Sequence, residues 1–304
     1  MTGFLKRIYG PGAVLVFAGA WWGLLQGCPF LKTWFYLFAW WSYILFADWL
    51  NLKLRGTSRL TSSPRGFAAL CATSVFFWLI FEWFNLFLKN WSYINVPSSI
   101  FLRWLGYTLA FATVLPGIFE TYDLLERVLP GRYSLRPLGD PARTFPLLTL
   151  LGILTLILPV AYPHYFFSLV WVWAFLLLEP INYLLAREDS LLYDLEEGSF
   201  RRPFLLLLAG LLCGLFWESW NYWAGTKWVY TLPWAWLMRV KLFEMPLPGY
   251  LGFPPFALEC WSMWTFARIF RRYSGSVLVI IFPVLFSLWI FHQIDKHTVL
   301  SFIP

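Results

Sequence analysis

The sequence predicts an all-α polytopic membrane protein, and three observations carry the prediction. Only 13% of the 304 residues are charged while 60% are hydrophobic, with a mean hydropathy of +0.62. A soluble domain carries about 25% charged residues, so this chain lacks the polar surface that water demands. Apolar stretches of about 20 residues, enough to cross a hydrocarbon core about 30 Å thick, follow one another with short polar loops between them. The 21 Trp fit the same class, because Trp collects at both bilayer interfaces. This composition excludes a secreted disulfide domain, a disordered chain and an ordinary soluble enzyme.

About nine spans are expected from the hydropathy pattern, over residues 12–28, 31–50, 66–88, 104–124, 144–161, 164–185, 204–223, 249–270 and 276–292. The first follows Lys6-Arg7, and the second closes on Asp48-Trp49-Leu50-Asn51 before Lys53 and Arg55. The third opens after Pro64-Arg65 and carries Glu82 and Asn85 late; the fourth carries Pro116 and Glu120. A polar junction from Asp123 to Arg143 leads to the fifth. The sixth ends on Glu179-Pro180-Ile181-Asn182. The seventh opens at Arg201-Arg202 and carries Glu218 and Asn221 late. The eighth holds Pro254-Pro255 and Glu259 and closes on Arg271-Arg272, and the ninth stands alone near the C-terminus. Of the 23 Lys and Arg, 16 fall on the side of the N-terminus and 7 on the other. Basic loops stay cytoplasmic, so the chain is expected in the inner membrane with its N-terminus cytoplasmic and its C-terminus outside. The net charge of +7 then reads as topology and contact with anionic lipids, with no role for nucleic acid. Cys28, Cys71, Cys213 and Cys260 lie in or beside apolar spans without a CxxC pair, which suits packing.

The chain repeats itself. Asp48 with Asn51, Glu82 with Asn85, Trp91-x-Tyr93, Pro97, Gly106-Tyr107, Pro116 and Glu120 recur in order as Glu179 with Asn182, Glu218 with Asn221, Trp228-x-Tyr230, Pro233, Gly249-Tyr250, Pro255 and Glu259. The expected organisation is a first four-helix unit over 1–130, a second over 131–272, and an extra C-terminal helix over 273–304. Four spans per unit is an even number, so the halves should share orientation about an axis along the membrane normal. Between Pro233 and Gly249 the second half carries an insert, ending Lys241-Leu-Phe-Glu244-Met-Pro-Leu-Pro248, which marks that half as specialised.

Six acids fall within apolar spans: Asp48, Glu82, Glu120, Glu179, Glu218 and Glu259. Ionisable groups at membrane depth are costly and usually face a bundle interior or a wet cavity. Residues three apart share a helix face, so each Asn is expected to orient the acid before it. A carboxylic acid among apolar side chains can deliver a proton to a weak base. Asp48 and Glu179 lie near cytoplasmic ends and suit helix termini. Glu218, oriented by Asn221, is the candidate general acid, with Glu259 as base or second acid. Glu82 and Asn85 form the partner site, with Glu120 on the same pattern. Trp220, Trp228 and Tyr230 are expected to line the pocket, since aromatic faces attract cations, and Glu244 to reach it from the insert. Three histidines without metal-binding spacing, and the lack of phosphate-binding or prenyl-diphosphate motifs, point to chemistry without a metal or cofactor.

The block from Phe216-Trp217-Glu218 through Asn221, Trp228-x-Tyr230, Glu244-Met-Pro246 and Pro255 to Glu259 resembles the repeated domain of membrane-integral lycopene cyclases. More loosely it is similar to membrane-bound carotenoid hydratases. The resemblance covers about 40 residues of each half, and the repeat here has four spans where the cyclase domain has three. It implies an isomerase or hydratase that protonates a double bond of a polyisoprenoid or carotenoid-like lipid. A proton-coupled transporter of small molecules or lipids, with acids from both halves lining a path, is the alternative. A structural subunit of a membrane complex is a second alternative.

Overall fold

The apolar stretches fold as helices, two of which, Pro29–Arg55 and Pro64–Leu88, open on proline and close on a left-handed residue. In the computed structural model, which describes residues 3–131, 133–137, 139–273 and 278–304, α1 (Gly3–Leu25) turns at Gly27 (φ 77°) into α2 (Pro29–Arg55), which ends at Gly56 (φ 75°). Only glycine takes that backbone region without strain. The short α3 (Arg59–Ser62) leads to α4 (Pro64–Leu88), then to β1 (Trp91–Ile94) and β2 (Val96–Pro97). Next come α5 (Ile100–Phe111) and α6 (Val114–Val128), one apolar length with a break at Ala112-Thr113. Pro116 has no N–H for the Ala112 carbonyl, and Ser74 of α4 bridges the adjacent Leu115 amide and Phe111 carbonyl, which the break also parts. The Ser74 hydroxyl donates to the Phe111 carbonyl (2.6 Å) and accepts from the Leu115 amide (3.0 Å).

The second half runs α7 (Phe145–Ala161), α8 (Pro163–Phe166), α9 (Trp173–Leu185), α10 (Leu191–Glu196), α11 (Arg201–Trp223) and β3 (Lys227–Tyr230). The insert forms a small hairpin, β4 (Lys241–Leu242) with β5 (Met245–Pro246), before α12 (Phe253–Tyr273), α13 (Leu278–His297) and β6 (Phe302–Ile303). The chain is mostly helical. Among the described residues, five helical stretches are long and apolar enough to cross a membrane: Lys6–Leu25, Pro64–Leu88, Ile100–Val128, Pro141–Ala161 and Arg201–Trp223. The segment Pro163–Trp171, bent by 42° against Trp173–Leu185, makes a sixth if taken as one broken span. The expected spans over 31–50 and 249–270 lie in α2 and α12, whose Trp, Tyr and charged residues leave them outside that set. Arg132 and the first two positions of the expected ninth span, 276 and 277, lie outside the described residues.

Helix packing relies on close approach. α1 packs along α2, α13 along α4, and α11 against both α6 and α12. On α11, a Cβ added to Gly210 would come within 2.3 Å of the Phe253 carbonyl oxygen, and one added to Gly214 within 2.3 Å of the Phe253 ring. Small residues one turn apart let α12 sit on α11. Gly210→Ala is therefore expected to destabilise the fold by about 1–3 kcal/mol, as overpacking against backbone does. Thermal unfolding in detergent measures this, with Gly19→Ala, where nothing lies within 4 Å, as the unaffected control.

At one end of the bundle the strands assemble. β1 and β3 pair antiparallel, Trp91 opposite Tyr230 and Tyr93 opposite Trp228. The C-terminal segment straps the other edge of β1, with the Tyr93 amide donating to the Thr298 carbonyl (2.7 Å), the Leu300 amide to the Tyr93 carbonyl (2.8 Å), and β6 parallel to β2. At the opposite end, Asp48 accepts from the Ser58 hydroxyl and the Leu60 amide (both 2.8 Å), and Glu179 from the Ser190 hydroxyl and the Leu191 amide (both 2.7 Å). Each acid thus holds the free amides at the start of the short helix that follows α2 or α9. Glu179→Ala is expected to cost about 1–3 kcal/mol by stranding these buried donors. A lowered unfolding midpoint with an unchanged cavity would show it.

Candidate functional site

The site grows from the way each long helix ends. At the end of α11 the Asn221 amide turns to the main chain of β3, with Nδ2 donating to the Trp228 carbonyl (2.9 Å) and Oδ1 accepting the Trp228 amide (3.0 Å). Asn85 does the same at the end of α4, donating to the Trp91 carbonyl (2.8 Å) and accepting the amides of Asn90 (2.9 Å) and Trp91 (3.2 Å). This corrects the expectation that these asparagines orient their acids. They satisfy strand groups and fold each Trp-x-Tyr segment back over the acid one turn below.

The tyrosines, not the asparagines, hold the carboxyl groups. The Tyr230 hydroxyl donates to Glu218 Oε1 (2.7 Å) and itself accepts from Trp228 Nε1 (2.8 Å). In the first half, Glu82 Oε1 accepts from Tyr93 (2.5 Å), Trp78 (2.8 Å) and Trp91 (3.1 Å). The second oxygen of both acids is buried and has no partner among the described residues.

A cavity of about 550 Å³ opens where these segments meet, within the range of small-molecule sites. Its wall is almost entirely apolar and aromatic, and includes seven tryptophans, among them Trp78, Trp91, Trp171 and Trp228. Glu218, Trp228 and Tyr230 belong to the wall, as do Tyr36 and Phe256. The insert contributes Trp234, Leu237 and Met245, so the extra segment of the second half closes one side.

Other expected site residues lie elsewhere. Glu82 is fully buried behind Trp78, Trp91 and Tyr93 and is not part of the wall. Trp220 packs against Trp40 (ring centroids 4.9 Å apart) and stacks on Phe216 (5.2 Å), away from the cavity. Glu120 accepts from Asn51 Nδ2 (2.8 Å), and Glu244 pairs with Lys227 (2.5 Å). Glu259 accepts the Ala174 amide (2.8 Å) and so caps α9 where the broken span resumes. Glu218, Glu244 and Glu259 thus face different partners and do not converge on one point. The matching of Glu120 with Glu259 is also off by a turn. Asn51 Nδ2 donates to the Glu120 carbonyl (3.1 Å), whereas Asn182 Nδ2 donates to that of Ser262 (2.9 Å).

One feature of the wall was not expected. Arg103 forms a two-pronged pair with Asp295 of α13 (Nε 2.7 Å, Nη2 2.8 Å) and donates from Nη1 to the carbonyls of Pro97 and Ser98 (both 2.8 Å). Trp104 Nε1 (2.8 Å) and the Tyr107 hydroxyl (3.1 Å) complete the shell of Asp295. In the sequence Arg103 reads as a loop cation. The available signal is Asp295 itself, an acid closing an apolar helix with no nearby basic partner on its inner face.

No protein-family model, curated protein or solved structure matches the chain.

Proposed function

We propose that the protein is an integral membrane enzyme in which Glu218 protonates a double bond of a polyisoprenoid or carotenoid-like lipid, leading to cyclisation or hydration. One observation carries this reading: a carboxyl group with a single donor, Tyr230, and an unpartnered second oxygen forms part of an aromatic cavity wall. Proton transfer from Glu218 to one alkene carbon leaves a tertiary cation on the other. Trp78, Trp91, Trp171 and Trp228 line the cavity, and aromatic faces stabilise cations by about 0.5–2 kcal/mol each. The Glu218 carboxylate then takes back a proton, with Tyr230 fixing its orientation. Glu82, with three donors on one oxygen and no surface on the cavity, is the degenerate counterpart.

The same reading includes nine spans, an inner-membrane location with a cytoplasmic N-terminus, and tandem duplication. The duplication draws support from the β1–β3 pair, where each half's Trp faces the other half's Tyr, as a two-fold axis along the membrane normal requires. The test is mass spectrometry of lipids from a host making linear carotenoids, with the wild type against Glu218→Gln. A product isomeric with the substrate, or heavier by one water, made only by the wild type supports the enzyme. Glu218-independent product, or transport with chemically intact substrate, overturns it.

A further inference from the structure

The wall of the cavity contains a second polar group without a partner. Two fully buried polar atoms of the wall residues, Glu218 Oε2 and Asn90 Oδ1, lack any hydrogen bond within the described residues. Asn90 is 4% exposed and stands between Lys89, at φ 53°, and β1. Its main chain is fully engaged: the amide donates to Asn85 Oδ1 (2.9 Å) and the carbonyl accepts from Thr231 (2.8 Å). Its side chain makes none of these bonds. Several other polar groups of the wall are occupied, Tyr230 and Tyr93 by their acids, Arg103 by Asp295, Lys227 by Glu244 and Thr226 by the Asn95 carbonyl. A buried primary amide without a partner costs free energy that a leucine of the same size would not.

Asn90 lines the same cavity as Glu218. Trp91 stands opposite Tyr230, whose hydroxyl holds Glu218, and Asn90 is the next residue along the ladder, opposite Thr231. A hydrocarbon chain cannot satisfy an amide. An oxygen that both donates and accepts hydrogen bonds can, since Oδ1 accepts an O–H while Nδ2 donates to the lone pair.

We infer that Asn90 holds the oxygen of water, or of a lipid hydroxyl, for a carbon–oxygen bond made or broken in this cavity, so that the enzyme is a hydratase. The inference rests on Glu218 being the acid. Glu218 gives its proton to the alkene, whose π pair forms the new C–H bond. The water oxygen on Asn90 donates a lone pair to the tertiary cation and forms the C–O bond. The proton it sheds returns to the Glu218 carboxylate, so the net change is alkene plus water to tertiary alcohol. In reverse, Asn90 holds the hydroxyl that leaves as water.

The test uses the full chain in lipid vesicles with lycopene as the probe, in buffer made with ¹⁸O-water. The wild type is expected to add one labelled water per reacted alkene. Asn90→Leu is expected to lose at least tenfold of that product while still forming isomers of unchanged mass, and Asn90→Gln to restore part of it. Isomer formation by Asn90→Leu also shows that this variant folds; if it forms neither product, Asn90→Asp, which keeps an accepting oxygen, takes its place and is expected to retain labelled alcohol. The same labelled yield from Asn90→Leu and the wild type overturns the inference. Conversion by the wild type without ¹⁸O overturns it too and leaves Glu218 as the acid. No Glu218-dependent conversion overturns the reading beneath it.

Discussion

Glu218→Gln is expected to lower product formation by about 10²–10⁴-fold, the usual contribution of a positioned general acid. The substitution is conservative in the fold, because the glutamine carbonyl still accepts the Tyr230 hydroxyl that now meets Glu218 Oε1 at 2.7 Å. What it removes is the proton to be delivered. Glu82→Gln is the informative comparison, since Glu82 lies behind Trp78, Trp91 and Tyr93 and has no surface on the cavity. Less than about tenfold loss is expected there, below the range of an acting acid. Product analysis of the two variants at equal folded amounts decides between one working carboxyl and two. Equal losses would give Glu82 an acting role.

The second large effect falls on stability. Arg103→Ala is expected to cost about 3–5 kcal/mol, because it leaves Asp295 charged and without its cation in a largely buried setting. The side chains of Arg103 and Asp295 are 8% and 13% exposed, so salt screens the pair little. The loss reaches beyond one pair: Arg103 also holds the Pro97 and Ser98 carbonyls beside β2, against which β6 is strapped. Yield of monodisperse protein and its unfolding temperature measure the effect. The double substitution Arg103→Met with Asp295→Leu is expected to recover much of it, since removing both charges avoids the stranded one. If the single variant unfolds like the wild type, the pair does not hold α13 in place.

Much of the site was legible from Glu218, Trp228 and Tyr230, which recur as Glu82, Trp91 and Tyr93 at similar spacing and do meet in space. The roles within the pattern were less so. A three-residue spacing puts Asn221 on the face of Glu218, yet its amide reaches past the helix end to unpaired strand groups, whose need for a partner is stronger. Glu259 looked like a catalytic acid for its depth, and instead supplies the acceptor that the broken start of α9 lacks. Trp220 carries the expected residue type but faces Trp40, because side chains only two residues from Glu218 point to another side of the helix.

Composition and hydropathy alone determined that this chain is mostly helical, with several helices long and apolar enough to cross a membrane, because covering backbone groups away from water is a local matter that each apolar stretch solves within itself. The recurring order of acids, asparagines and Trp-x-Tyr segments is likewise written in the sequence. Only the tertiary structure decided which acid meets the cavity, that Arg103 finds Asp295 across 192 residues of chain, and that Asn90 is left without a partner in the cavity that Glu218 lines. Those outcomes depend on where separate helices and strands come to lie against one another, and a packing contact between distant residues leaves no periodic trace in either segment.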